Sequence, residues 1–192
     1  MTVPVFYFDF NSPYAWLAAE RIDDVLPVAP RWQPISFGHI LQSSGRVPWS
    51  VADPSRAEGI AEVERRAAER GLGPVQWLDG WPVEVYSLAP LRAMAYVQGM
   101  ECERELAIAL FRAFFHDGRQ LVPDTVAEVA QGLGLNPDDV RDGVDDPDCK
   151  DWVKRATDAA IERGVVGVPT VAVGDQLFWG DDRLEDAAAA FS

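Results

Sequence analysis

The 192-residue chain is poor in cysteine, histidine and lysine. Cysteine occurs only at Cys102 and Cys149, far apart and in no Cys-x-x-Cys pair. That argues against a disulfide framework and against a dithiol redox centre. The two histidines, His39 and His116, have no metal-ligand spacing, so no metal site is expected. Lysine occurs only at Lys150 and Lys154; every other basic residue is arginine. Basic residues number 17 against 31 acidic ones, for a formal net charge of −14. Such a surface repels nucleic acid and anionic lipid, so neither is an expected partner. An anionic substrate would need basic groups or backbone donors placed locally at its site. No apolar run approaches the ~20 residues of a membrane span, and no basic-then-apolar leader precedes the first strand-like segment. A cytoplasmic location is therefore the default expectation.

Two further motifs are incomplete. Gly132-Leu133-Gly134 lacks the third glycine of a dinucleotide loop and follows no strand. The acidic stretch from Asp138 to Asp148 has Val140 and Cys149 where a calcium loop starting at Asp138 needs oxygen ligands.

What is present is an α/β pattern at the two ends of the chain. Val3 to Phe10 (VPVFYFDF) is a β-branched and aromatic run, nearly continuous in apolar residues, and predicts a strand buried on both faces. Ser12-Pro13 then opens a helix that should stop before Pro27, Ser capping and Pro taking the first helical position. Arg31 to Phe37 reads as a second strand, with Pro34 placing it at an edge or a bulge. Residues 39–148 show helical periodicity and no strand. After a helix over 151–163, Val171 to Val173 and Gln176 to Trp179 form a hairpin about Gly174-Asp175, and Asp181 opens a terminal Ala-rich helix. The expected architecture is a thioredoxin-like βαβ…αββα core (residues 1–38 and 149–192) interrupted by a helical insertion (residues 39–148).

Three segments carry chemistry. FYFDFNSPYAWL sets Ser12 where a strand ends and a helix begins, a place whose free N–H groups favour an anion such as a thiolate. GVVGVPT holds a Val168-Pro169 pair just before a hairpin strand. A cis bond there would turn the Val168 backbone toward a ligand. FWGDDRL opens the last helix with N–H groups suited to a carboxylate and Asp side chains suited to an ammonium. Taken singly, each also reads as capping or a plain strand start.

FDFNSPYAWLA, ERGVVGVPT and FWGDDRLED in this order resemble the DsbA-like 2-hydroxychromene-2-carboxylate isomerases, relatives of the kappa-class glutathione transferases. The resemblance spans essentially the whole chain. It implies an isomerase that takes glutathione, or another low-molecular-weight thiol, as cofactor and acts on a conjugated aromatic keto acid by reversible thiolate addition. In that family Ser12 would activate the sulfur. Val168 and Pro169 would hold the cysteinyl backbone of the thiol, and Trp179, Gly180, Asp181 and Asp182 its γ-glutamyl end. The alternatives in the same resemblance are a kappa-like transferase or peroxidase and a non-catalytic thiol-binding module. Members of the family are often dimers, so a homodimer belongs to the expectation. On the substrate side the match is weaker. Characterised isomerases place a lysine shortly after the second strand, whereas GHILQSSGRVPW has none and offers only His39 and Arg46. Arg56 could serve as a substrate-side arginine. Trp49 and Trp81, with Trp77, could wall an apolar pocket or pack insertion against core.

Overall fold

A computed structural model of the protein describes residues 3–51 and 53–191. Strand β1 (Val5–Phe8) leads into α1 (Pro13–Ala19) and α2 (Ile22–Val25), then β2 (Arg31–Pro34) and α3 (Phe37–Ser44). Five helices follow: α4 (Ser55–Glu69), α5 (Leu88–Tyr96), α6 (Glu103–Phe115), α7 (Pro123–Gln131) and α8 (Pro137–Asp145). The chain closes with α9 (Pro147–Glu162), β3 (Thr170–Val173), β4 (Gln176–Trp179) and α10 (Leu184–Ala189). Among the described residues no strand lies between β2 and β3.

The sheet runs β2-β1-β3-β4, with β1 parallel to β2 and antiparallel to β3, and β3 antiparallel to β4. β1 lies inside the sheet and all four of its residues are buried. Side chains alternate across a strand, so β1 feeds two cores. Phe6 and Phe8, with Phe10 beyond the strand, point to one side, where Phe10 and Phe111 of α6 meet at 4.8 Å between ring centroids. Val5 and Tyr7 point to the other, packing with Ile40 of α3 and Ala160 of α9. The first cluster also contains Leu91, Leu106 and Val126, so the central helices share the hydrophobic core of the sheet. Pro34 ends the edge strand β2, where a missing N–H leaves no ladder bond unmade.

Several elements differ from their sequence-based bounds. The helix after Ser12 is two helices, broken at Glu20–Arg21, and α2 turns toward the C-terminal helix, where Arg21 pairs with Glu185. The second strand stops at Pro34 instead of Phe37, because Ser36 caps α3. α3 begins at Phe37, inside the segment that reads as the second strand. α4 starts at Ser55, and α9 starts at Pro147 because Asp146 caps it through Asp148 N–H at 2.8 Å. The divisions expected at 38/39 and 148/149 fall inside α3 and α9. A 3-10 turn, Asp181–Arg183, precedes α10.

Candidate functional site

A cavity of about 460 Å³ opens where β1 passes into α1. Ser12, at the N-cap of α1, is 7% exposed and lies on its wall. The Ala15 N–H donates to Ser12 Oγ at 3.2 Å, the ordinary capping bond. The hydroxyl proton is directed at the Val168 carbonyl, 3.4 Å away. That bond is long, so the proton can turn to a stronger acceptor at little loss. The Tyr14 N–H, in the first turn of α1, has no acceptor among the described residues. α1 is only two turns long, so hydroxyl and N–H, more than helix dipole, are what Ser12's surroundings offer an anion.

Across the cavity runs the segment Val168-Pro169, joined by a cis peptide bond. The Val168 N–H has no protein acceptor among the described residues. The Pro169 carbonyl accepts from Gly180 N–H at 3.0 Å, which ties this segment to the turn after β4. Gly180 adopts a φ of 120°, and a Cβ there would lie 2.4 Å from Asp182 Oδ1, so the turn requires glycine.

The turn's two acids have different surroundings. Asp181 is 1% exposed and accepts from Arg66 at 2.5 Å and Arg70 at 2.7 Å, both on α4. Asp182 is 62% exposed at its side chain, and its Oδ2 is 3.9 Å from Arg66. Arg66 also contacts Glu62 at 2.6 Å and lies over the Tyr14 ring at 5.6 Å. Burial pulls this guanidinium's pKa down, and Glu62, Asp181 and Asp182 more than offset it, leaving Arg66 firmly cationic. Desolvation raises the Tyr14 phenol, with Glu62, Asp181 and Asp182 pushing the same way against Arg66. Tyr14 therefore stays neutral.

Trp49 and Trp81 form an aromatic wall, 5.8 Å apart at their centroids, and Trp77 stands behind Trp81 at 4.6 Å. Arg56 does not line the cavity. It donates to the Trp81 carbonyl at 3.0 Å and braces that wall from outside. Trp179 is half-exposed on the opposite rim, with Arg46 over its ring at 4.8 Å and bonded to the Val166 carbonyl at 2.8 Å. Ser12, Val168, Pro169, Trp179, Gly180, Asp181, Asp182, Trp49 and Trp81 thus meet around one cavity, and Arg56 stands outside it. Sequence reasoning missed Tyr14 and Arg66 on the same wall. Arg66 falls in the run Glu62–Glu69, which reads as an ordinary charged helix face.

The chain matches the DSBA-like thioredoxin domain over residues 4–192. It belongs to that family. The mixed four-stranded sheet with its many helices, described above, is the thioredoxin-like fold of that family. The chain is 27% identical over 188 residues to the 2-hydroxychromene-2-carboxylate isomerase of Sphingobium xenophagum, covering 94% of this chain and 93% of that protein. It is 26% identical over 191 residues to the enzyme of the same name from Pseudomonas sp. (strain C18), covering 93% and 85%. The solved structure of a selenomethionine 2-hydroxychromene-2-carboxylate isomerase superposes with a TM-score of 0.84 at 24% identity, over 98% of this chain and 94% of that one. Among the described residues no helix is long and apolar enough to cross a membrane.

Proposed function

We propose that the protein is an isomerase-like enzyme that uses glutathione, or a related small thiol, on a conjugated aromatic keto acid. The observation that carries this reading is the Ser12 hydroxyl on the wall of a 460 Å³ cavity, facing the Val168 peptide, whose N–H has no acceptor among the described residues. The donor set suits a zwitterionic thiol peptide. The Val168 N–H and C=O would take its cysteinyl backbone as an added strand does. Asp182 would take its ammonium, and Arg66 and the turn's N–H groups a carboxylate. Asp181, already satisfied by two guanidinium groups, holds Arg66 and the turn in place.

A thiol in water has a pKa near ~8.5, so little of it is thiolate at neutral pH. The Ser12 hydroxyl and the Tyr14 N–H favour the charged sulfur. When bound, the thiol supplies a nucleophile that adds reversibly to a conjugated double bond, allowing rotation about it before leaving unchanged. Ser12 stabilises that sulfur without forming the mixed disulfide a cysteine there would allow. Trp49 and Trp81 present aromatic faces to the aromatic part of the substrate.

The missing lysine after β2 favours a second reading, a kappa-like transferase or peroxidase that shares the first step. Turnover of a conjugated keto acid with a trace of glutathione, followed by absorbance and thiol assay, separates them. Many turnovers per thiol with no thiol lost support the isomerase. Stoichiometric thiol loss favours the transferase. Thiol binding without any turnover leaves a non-catalytic module.

A further inference from the structure

A second cavity, about 490 Å³, lies against the first, and Asn11, Phe37, Leu41, Pro48 and Ser50 line both. Its mouth carries exposed apolar surface from Val83, Tyr86 and Leu88. On its inner wall sits Asp9, 2% exposed. Asp9 Oδ1 accepts from Asn11 N–H at 3.0 Å and Oδ2 from Phe37 N–H at 2.7 Å, and Ser87 adds a side-chain hydrogen bond. The groups lining this cavity that titrate are Asp9, His39 and Tyr86. His39 is 3.1 Å from Asp158 of α9, and Tyr86 lies at the exposed rim.

A carboxyl with these contacts can serve merely to hold α3 and the loop before α5. Two features point further. It borders a cavity with an apolar mouth that joins the Ser12 cavity, and among the described residues no cation neutralises it there. Burial pushes the Asp9 carboxyl above the usual carboxylate range, against the downward pull of Asn11, Ser87 and Phe37. Its acid form therefore persists to higher pH, while three donors stand ready for the anion left when the proton goes.

Resting on the thiol reading above, we propose that the second cavity seats the keto-acid end of that substrate, its aromatic part reaching the Trp49–Trp81 wall where the two cavities join, with the carbonyl oxygen on Asp9, which acts as the reaction's acid and base. As a nucleophile bonds to the far carbon of the conjugated system, the double-bond pair shifts toward the carbonyl. The carbonyl pair moves onto oxygen, and that oxygen takes the Asp9 proton, giving a neutral enol. Asp9 is left as a carboxylate held by Asn11 N–H, Phe37 N–H and Ser87. In the reverse step Asp9 recovers the proton, the enol returns to ketone, and the bond to the nucleophile breaks.

The test is calorimetric binding of the saturated counterpart of benzylidenepyruvate across pH, beside turnover of benzylidenepyruvate itself. Affinity should fall as pH rises and Asp9 ionises, because only the acid form donates to the carbonyl. Ser87→Ala removes a donor to the carboxylate, so Asp9 ionises later and the fall should move to higher pH. Asp9→Asn should abolish the pH dependence of binding and slow turnover about a hundredfold, the low end for a lost proton-transfer group. His39→Gln should keep the fall; its disappearance there would assign it to His39 and overturn the proposal. So would a keto acid that does not bind, or a fall unmoved in Ser87→Ala, a variant that stands in should Asp9→Asn not fold. Binding with the expected pH dependence but no glutathione-dependent turnover would instead defeat the thiol reading and leave Asp9 in place. Turnover with the wild-type pH profile in both Asp9→Asn and Ser87→Ala would defeat Asp9 alone.

Discussion

Replacing Ser12 by alanine removes one hydroxyl and should have two separable effects. The first concerns folding. The Ala15 N–H loses its capping acceptor at 3.2 Å, and loss of such a cap costs about 1 kcal/mol. Urea unfolding reads that loss directly. The second concerns the bound sulfur. A hydrogen bond to a charged group is worth ~1.5–3 kcal/mol, and one pKa unit corresponds to ~1.4 kcal/mol. The thiol in the complex should therefore become less acidic by about one to two units. The thiolate fraction at neutral pH, and with it the rate, should fall about ten- to a hundredfold, with the rising limb of the pH–rate profile moved to higher pH. Ultraviolet absorbance of the thiolate, titrated in wild type and variant at saturating glutathione, measures the shift without turnover. A Ser12→Ala protein that folds, binds glutathione and leaves the thiol's pKa unmoved would refute the role given to this hydroxyl.

Arg70→Ala should leave the 1%-exposed Asp181 with one guanidinium instead of two and lower stability by ~1–3 kcal/mol; an unchanged urea midpoint would contradict the bracing role of that pair. Asp182→Asn should weaken glutathione about fivefold, the equivalent of ~1 kcal/mol for an exposed charge pair, and should spare an analogue lacking the α-amino group. Equal losses for both ligands, by calorimetry, would deny that Asp182 meets the ammonium. Gly59→Ala would bring a Cβ to 2.1 Å from Trp49 Cε3, so the indole must move. Stability should fall by ~1–3 kcal/mol and thiol affinity with it, together with a change in tryptophan fluorescence; wild-type values for all three would show that Trp49 does not depend on this packing.

Much of the fold was legible because its signals are local. VPVFYFDF is apolar on alternate and intervening positions alike, and β1 is buried on both faces. Ser12-Pro13 and the Gly174-Asp175 turn each announce a boundary within a few residues, and each boundary is there. α3 was not legible. Its first N–H, that of Phe37, is satisfied by Asp9, 28 residues away, and Ser36 N–H is held by Thr157, 121 residues away. A reading window sees only PISFGHIL, which suits an extended chain equally well.

The candidate site divides the same way. Ser12, Val168-Pro169 and the Gly180 turn are compact motifs, so their residues could be named in advance, though not their distances. Arg66 and Arg70 look like any solvated arginines until the fold sets Asp181 between them. Arg56 shows the converse, since a surface arginine near an aromatic run gives no sign of which side of the wall it will occupy.

The decisive measurement is a crystal structure of the protein soaked with glutathione. The account requires the sulfur within hydrogen-bond reach of the residue-12 hydroxyl and the cysteinyl peptide paired with residue 168. A peptide lodged elsewhere, or its sulfur turned away from that hydroxyl, would contradict it.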